Sequence, residues 1–323
     1  VKLMTEEIVT ELYRKYRPKT FKGVVGQPEA VKVMSGWITN GNTPHAVLLT
    51  GASGCGKTTL ARILAKKLKC EPPRDFIEIN AADFNGIDTV REIRQQVSYP
   101  SLTGGNRCWI IDEAALLSNQ AQNALLKLLE EAPSYAYFFL CTTNPEKIIP
   151  TVKNRCSELK LKPVSVEDLI ALSQSVLAKE GIEDIGDEVL EKLADTVDGS
   201  PRKCLVKLQQ LVELPDDESR FKMLSKDEVF EATIKDLCEV FTKMQKKTWK
   251  EVAKVVKSLN ETQEPETVRR AVLGWLSSAM VGGWARGVDN ATLAELLSCW
   301  EMNFFDSGRA GVVLAAFRSW SIK

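Results

Sequence analysis

Lys57 and Thr58 close the run TGASGCGKTT (residues 50–59), which fits the pattern G-x-x-x-x-G-K-[ST] from Gly51 through Gly56. The apolar run AVLLT precedes it, and LARILAKKL, with apolar residues at helical spacing, follows. In that context a buried strand enters a glycine-rich turn whose backbone N–H groups face an anion at a helix N-terminus. The spacing assigns Lys57 to the β- and γ-phosphates of a nucleotide and the Thr58 hydroxyl to Mg²⁺. Ala52, Ser53, Gly54, Cys55 and Thr59 complete the cradle. A second acidic signal lies in CWIIDEAA, where a strand delivers Asp112 and Glu113 at its C-terminal end. Asp112 suits the metal or its water, and Glu113 suits orientation and polarisation of an attacking water. Together the two runs point to nucleoside triphosphate hydrolysis.

Both signals need strands that end at one edge of a sheet. HAVLLT (45–50), FIEIN (76–80), CWIID (108–112) and YFFLCTT (137–143) read as buried strands, separated by helical patterns such as AVKVMSGWI and AQNALLKLLEEA. Residues 1–163 are therefore expected to form a parallel α/β sheet with nucleotide at the strands' C-terminal ends. From Val164 to Leu224 the strand signal vanishes. SVEDLIALSQSVLAKEG starts on a capping-box-like Ser165 and Asp168 and stops at Gly181, and two more helical patterns follow, so 164–224 reads as a small three-helix domain. PDDESR (215–220) reads as turn and linker. Residues 225–323 read as helices only and hold Trp249, Trp275, Trp284, Trp300 and Trp320 of the seven tryptophans, which suits an independently packed domain.

The 323 residues balance 43 Lys plus Arg against 43 Asp plus Glu, so any nucleic-acid surface must be a local one. The eight cysteines include no C-x-x-C pair, which argues against a disulfide framework or structural zinc. His45, the sole histidine, has no acid or cysteine cluster near it in sequence and reads as structural. The N-terminal stretch with Lys2, Glu6, Glu7 and Glu11 has no apolar signal core, and no apolar run approaches a membrane span. These features give the expectation of a cytoplasmic protein.

Several blocks resemble the clamp-loader ATPases of the AAA+ class. LYRKYRPKTFKGVVGQ (12–27) is similar to the family's adenine-site segment, and INAADFNGIDTVREI (79–93) resembles the replication factor C small subunits. VSYPSLTGGNRCWIIDEA and YFFLCTTNPEKIIPTVKNRC resemble the bacterial polymerase III γ/τ subunit. The resemblance runs through roughly 210 residues, the final hundred fitting only by position and helical pattern. It implies an AAA+ ATPase domain, a helical lid and an all-α oligomerising collar, with ATP and Mg²⁺ as ligands. Arg17, Pro18 and Val25 then fall at the adenine pocket, and Thr142 to Asn144 at sensor 1, with Thr143 and Asn144 as candidates. Arg155, in NRC where the family has S-R-C, matches the arginine finger supplied to a neighbour's site. Arg202 matches sensor 2. As a mere exposed arginine it would be poorly placed, since a cation at a helix N-terminus opposes the helix dipole.

The same resemblance implies primer–template DNA, a sliding clamp and other loader subunits as partners, in a hetero-oligomeric, pentameric spiral with several copies of this chain. Matching DNA positions are Asn85, Gly86, Arg91, Arg94, Ser118 and Gln122. Lys127 matches a basic position linking DNA to Glu113, and Val97 and Tyr99 match the clamp-contacting element. Two departures stand out. The γ/τ zinc module is missing after the phosphate loop, where Cys70 stands alone, and τ's long extension is missing too. The expectation is a compact loader of a viral or otherwise streamlined replisome. A branch-migration motor of the same class and a non-catalytic assembly subunit remain the alternatives.

Overall fold

The computed structural model describes residues 11–71, 73–101, 104–242, 247–282 and 288–322. Lys2, Glu6, Glu7 and Trp284 lie outside the described residues. Five strands, β1 (Ala46–Thr50), β2 (Phe76–Asn80), β3 (Arg107–Asp112), β4 (Ala136–Thr142) and β5 (Ser157–Lys160), form one parallel sheet in the order β2-β3-β4-β1-β5. β1 is buried along its whole length, as a strand covered on both faces must be. The sequence reading missed β5 because Ser-Glu-Leu-Lys is a short edge segment that carries no apolar run.

Helices α1 (Leu12–Lys15), α2 (Pro28–Asn40), α3 (Lys57–Lys67), α4 (Ile87–Val97), α5 (Asn119–Glu130) and α6 (Pro150–Lys153) accompany the sheet. Side chains alternate across each strand, so two cores form. Leu48, Trp109 and Phe138 pack with Val90, Ile93 and Leu125 of α4 and α5, and the Trp109 and Phe138 rings stack 5.4 Å apart. Val47, Leu49, Ile110 and Phe139 pack on Met34, Leu60 and Leu64 of α2 and α3. Thr50 lies beside Thr142 in the central pair, and Asp112 ends the next strand, so three strand ends converge where the loop 51–56 begins.

Helices α7 (Val166–Glu180), α8 (Asp187–Asp195) and α9 (Pro201–Val212) follow. The Ser165 hydroxyl accepts the Asp168 N–H at 3.2 Å and starts α7, and Gly181, at φ 71°, ends it. The linker reading of residues 215–220 is corrected, because Asp217 already opens α10 (Asp217–Phe241). Arg220, 1% exposed, donates to the carbonyls of Leu211 and Leu214, at 3.1 and 2.9 Å, and to the carboxylates of Asp184 and Asp217, both at 2.7 Å. Polar composition concealed it: an arginine that satisfies the carbonyls at a helix end is structural whatever its charge.

The chain divides into two compact units, one through Arg220 and one from Phe221. The first joins what the sequence separated at 163/164. The second is helical: the remainder of α10, α11 (Trp249–Thr262), α12 (Pro265–Gly282), α13 (Asn290–Cys299) and α14 (Gly308–Ser321). Trp300 is fully buried among Phe241, Leu276 and Val312 and donates its indole N–H to Ser319 Oγ at 2.8 Å. Trp249 and Trp320 cluster with Phe317. Most of the tryptophans described thus fill this unit's own core.

Glu266 anchors that unit by accepting from Arg269 Nη2 at 2.6 Å and the Phe304 N–H at 3.2 Å, while Arg269 Nη1 donates to the Trp300 carbonyl at 3.0 Å. The Arg269 hydrogen bonds hold the Glu266 carboxyl down at about 2. A depressed folded-state value makes this contribution fully present above the ordinary carboxylate range and lost as pH falls toward 2. Glu266→Gln is therefore expected to melt below wild type at pH 7, with the gap closing between about pH 4.5 and pH 2, as followed by thermal denaturation. Among the described residues, no helix is long and apolar enough to cross a membrane.

Candidate nucleotide site

The loop after β1 turns through glycines in the left-handed region. A Cβ on Gly51, φ 145°, would stand 2.6 Å from the Leu161 carbonyl oxygen. One on Gly54, φ 77°, would stand 2.2 Å from Ser200 Oγ, so this glycine lets the start of α9 approach the loop. Lys57 Nζ folds over the turn and donates to the carbonyls of Gly51 and Ala52 at 2.8 and 2.9 Å. Thr58 Oγ1 donates to Asp112 Oδ2 at 2.8 Å, joining the first turn of α3 to the end of β3.

Glu113 sits at φ 51°, a conformation that costs a non-glycine residue on the order of 1–3 kcal/mol and recurs at functional sites. Its N–H donates to Asp112 Oδ1 at 3.2 Å, and its Oε2 lies 3.4 Å from the Thr143 hydroxyl. Of the sensor 1 candidates, Thr143 is the one brought to the acid. Thr142 is fully buried and accepts the Asn144 N–H at 3.0 Å, and Asn144 opens a short 3-10 turn, Pro145–Lys147.

An open pocket of about 130 Å³ is lined by loop residues Ser53 to Thr59, Asp112 and Glu113, together with Arg17, Pro18, Val24 and Val25, and by Leu172, Pro201, Arg202 and Leu205 from α7 and α9. Tyr13 and Tyr16 line it too. The sequence reading missed Tyr13, Tyr16 and the two leucines. Two aromatics three residues apart in the segment 12–27 were a usable signal for the first pair, whereas nothing in a helical pattern marks which leucines roof a pocket. Burial pushes the Cys55 thiol up, so the cysteine of this lining is a poor nucleophile. His45 is structural, with Nδ1 2.8 Å from the Ala136 carbonyl oxygen and its ring stacked on Tyr137.

Arg155 is not part of this lining. It follows α6 on the surface, where Nε donates to Glu130 Oε1 at 2.5 Å and Nη1 to the Thr151 carbonyl at 2.9 Å. Elsewhere, Ser118 caps α5, its Oγ accepting the Ala121 N–H at 3.2 Å, and its own N–H donates to the Asn85 carbonyl at 3.0 Å. The N-termini of α4 and α5 are thereby side by side, with Asn85, Gly86, Arg91, Arg94 and Ser118 exposed and Arg91 paired with Asp88 at 2.8 Å.

Two expectations are corrected. Gln122 is 2% exposed and its amide is consumed by the Leu117 and Lys147 carbonyls, both at 3.1 Å, and by the Ile149 N–H at 2.9 Å, so the side chain is not available to DNA. Val97, 5% exposed, continues the inward Val90 and Ile93 stripe of α4 and cannot anchor a partner, whereas Tyr99 is 71% exposed. Lys127 is exposed, with its Nζ 4.0 Å from Glu131.

Residues 74–165 match the family model described as DNA polymerase III, delta subunit. The DNA polymerase III subunit gamma of Buchnera aphidicola subsp. Schizaphis graminum is 37% identical over 65% of this chain and 63% of its own length. Subunit tau of Bacillus subtilis is 34% identical over 64% of this chain and 40% of its own. The chain thus spans about 40% to 63% of these relatives. Among solved structures, Thermotoga maritima RuvB, described as a Holliday junction branch migration motor, matches with TM-score 0.52 at 20% identity over 88% of this chain and 90% of that one. The RuvB likeness is one of fold alone. Over about 65% of its length the chain is thus similar in sequence to the DNA polymerase III gamma subunit, and its fold is the AAA+ fold that the RuvB structures share.

Proposed function

We propose that the chain is the ATPase motor subunit of a sliding-clamp loader, coupling ATP binding and hydrolysis to placement of a clamp on primer–template DNA. The observation that carries the reading is a divided catalytic set. Lys57, the Thr58–Asp112 pair and Glu113 gather at one pocket, while Arg155 stands outside it on the surface. An arginine held outside its own subunit's pocket suits a finger supplied in trans to a neighbour's.

The glycine cradle and the paired Thr58 hydroxyl and Asp112 carboxylate, hard oxygen donors 2.8 Å apart, fit a Mg²⁺–nucleotide complex. When bound, the metal neutralises charge on the phosphates. Lys57 leaves its loop carbonyls for the phosphates, and Glu113, held by Thr143, orients and polarises the attacking water. Arg202, at the start of α9, ties the lid to the same phosphates. Arg155 of one subunit leaves Glu130 and stabilises charge developing in the next subunit's site.

Backbone amides at the paired starts of α4 and α5, with Arg91 and Arg94, hold DNA phosphates without reading sequence, as suits a chain of balanced charge. Tyr99 is the clamp contact. The second unit serves as the collar of a hetero-oligomeric, pentameric spiral acting in the cytoplasm, or in a host's cytoplasm if the chain is viral.

The test is transfer of labelled clamp to primed circular DNA, followed by gel filtration, with the chain reconstituted with its partner subunits. ATP-dependent retention of clamp, abolished by Lys57→Ala, is the expected result. Branch migration of four-way junctions with no clamp requirement would instead support the RuvB-type reading.

A further inference from the structure

The segment carrying α1 joins the lid to the nucleotide loop at defined points. The Leu12 N–H donates to Gln209 Oε1 of α9 at 3.0 Å, Lys15 Nζ pairs with Glu180 of α7 at 2.8 Å, and the Tyr16 hydroxyl donates to the same carboxylate. One residue later the chain reaches the other side of the pocket, where Arg17 Nε donates to Thr59 Oγ1, beside the Thr58 metal position, at 3.1 Å. Arg17 is half-buried and lines the pocket, yet among the described residues no carboxylate lies within ion-pair distance of it. Glu78, whose charge acts on Arg17, is taken by Arg62 through hydrogen bonds of 2.8 and 2.7 Å. Burial first, and then the charge of Arg62, hold the Arg17 guanidinium below its ordinary value, against the opposing charges of Glu78 and Asp112. A half-buried cation with no ion-pair partner among the described residues, and with donors to spare, is stabilised by an anion in the pocket.

Resting on the reading of the pocket as an ATP site, we infer that Arg17 binds the nucleotide's polyphosphate, not its base, from a strap fastened to the lid at Glu180. This revises the adenine-side expectation for Arg17. Strap and lid move together, so Arg17 engages the phosphates when the lid is in register with the loop.

The test uses the full chain with Mg²⁺, titrated with the β,γ-imido analogue of ATP and with adenosine. Arg17→Ala is expected to weaken the analogue about 10- to 100-fold, the loss typical of a hydrogen bond to a charged group, and adenosine less than about threefold. Arg17→Lys should recover part of the loss, since it keeps charge but loses the planar fork. Equal weakening of both ligands would assign Arg17 to base or ribose and overturn the inference. So would unchanged affinity for both. For the strap, Glu180→Gln should weaken the analogue in the wild-type background and by at least about threefold less in the Arg17→Ala background. Independent effects would overturn that part. A wild-type chain that binds neither ligand would refute the ATP reading itself.

Discussion

Glu113→Gln is expected to lower steady-state ATP hydrolysis about 100- to 1000-fold while leaving ATP affinity within about threefold, as fits loss of a positioned general base. The swap keeps shape and removes the charge that polarises water. The Glu113 backbone is held in a left-handed conformation at φ 51°, with Thr143 Oγ1 3.4 Å from its carboxylate. Among the described residues the Glu113 carboxylate makes no further hydrogen bond, so the fold has little to lose from the change. Phosphate release at saturating ATP, paired with equilibrium binding of nucleotide, checks both halves. Wild-type turnover in the variant would assign the acid pair to structure and favour the non-catalytic assembly subunit.

Arg155→Ala is expected to cost about 1000-fold or more in hydrolysis by the assembled complex, the scale of a removed arginine finger, with nucleotide binding by the isolated chain unchanged. Arg155 is exposed and its Glu130 partner is exposed too, so the loss in stability should be small. The trans assignment has its own signature. Arg155→Ala chains keep an intact pocket and Lys57→Ala chains keep an intact arginine, so a mixture should regain activity that neither shows alone. A mixture that stays inactive, or an Arg155→Ala complex that hydrolyses ATP at the wild-type rate, would remove the finger from the mechanism.

Much of the site was legible because its parts are local in sequence. A loop of fixed glycine spacing behind a buried strand, and acids at the end of another, state their chemistry within short runs of sequence. What the sequence could not show is set by the third dimension. Gln122 and Val97 lie on helices whose polar and apolar residues both looked available, and only the packing of α4 and α5 shows that both turn inward. Arg220 looked like linker charge until its carbonyl partners were in place. β5 lacks the apolar run that marked the other strands, because an edge strand needs only half its side chains covered. The lid's share of the pocket is likewise a matter of approach, expressed at Gly54, where a single Cβ would meet Ser200. The helical unit from Phe221 onward had a readable class and an unreadable arrangement, since apolar periodicity states that a helix has an inner face but not which helix covers it.

The central claim is that hydrolysis in one subunit is completed by its neighbour and triggered by the loader's two cargoes. The most direct measurement is steady-state ATP hydrolysis with neither cargo, with primer–template DNA, with the sliding clamp from the same source, and with both, for wild type and Arg155→Ala. The account predicts stimulation by both together that exceeds the product of the separate effects, and its loss in the variant while ATP still binds. Hydrolysis that ignores the clamp and survives without Arg155 would contradict it.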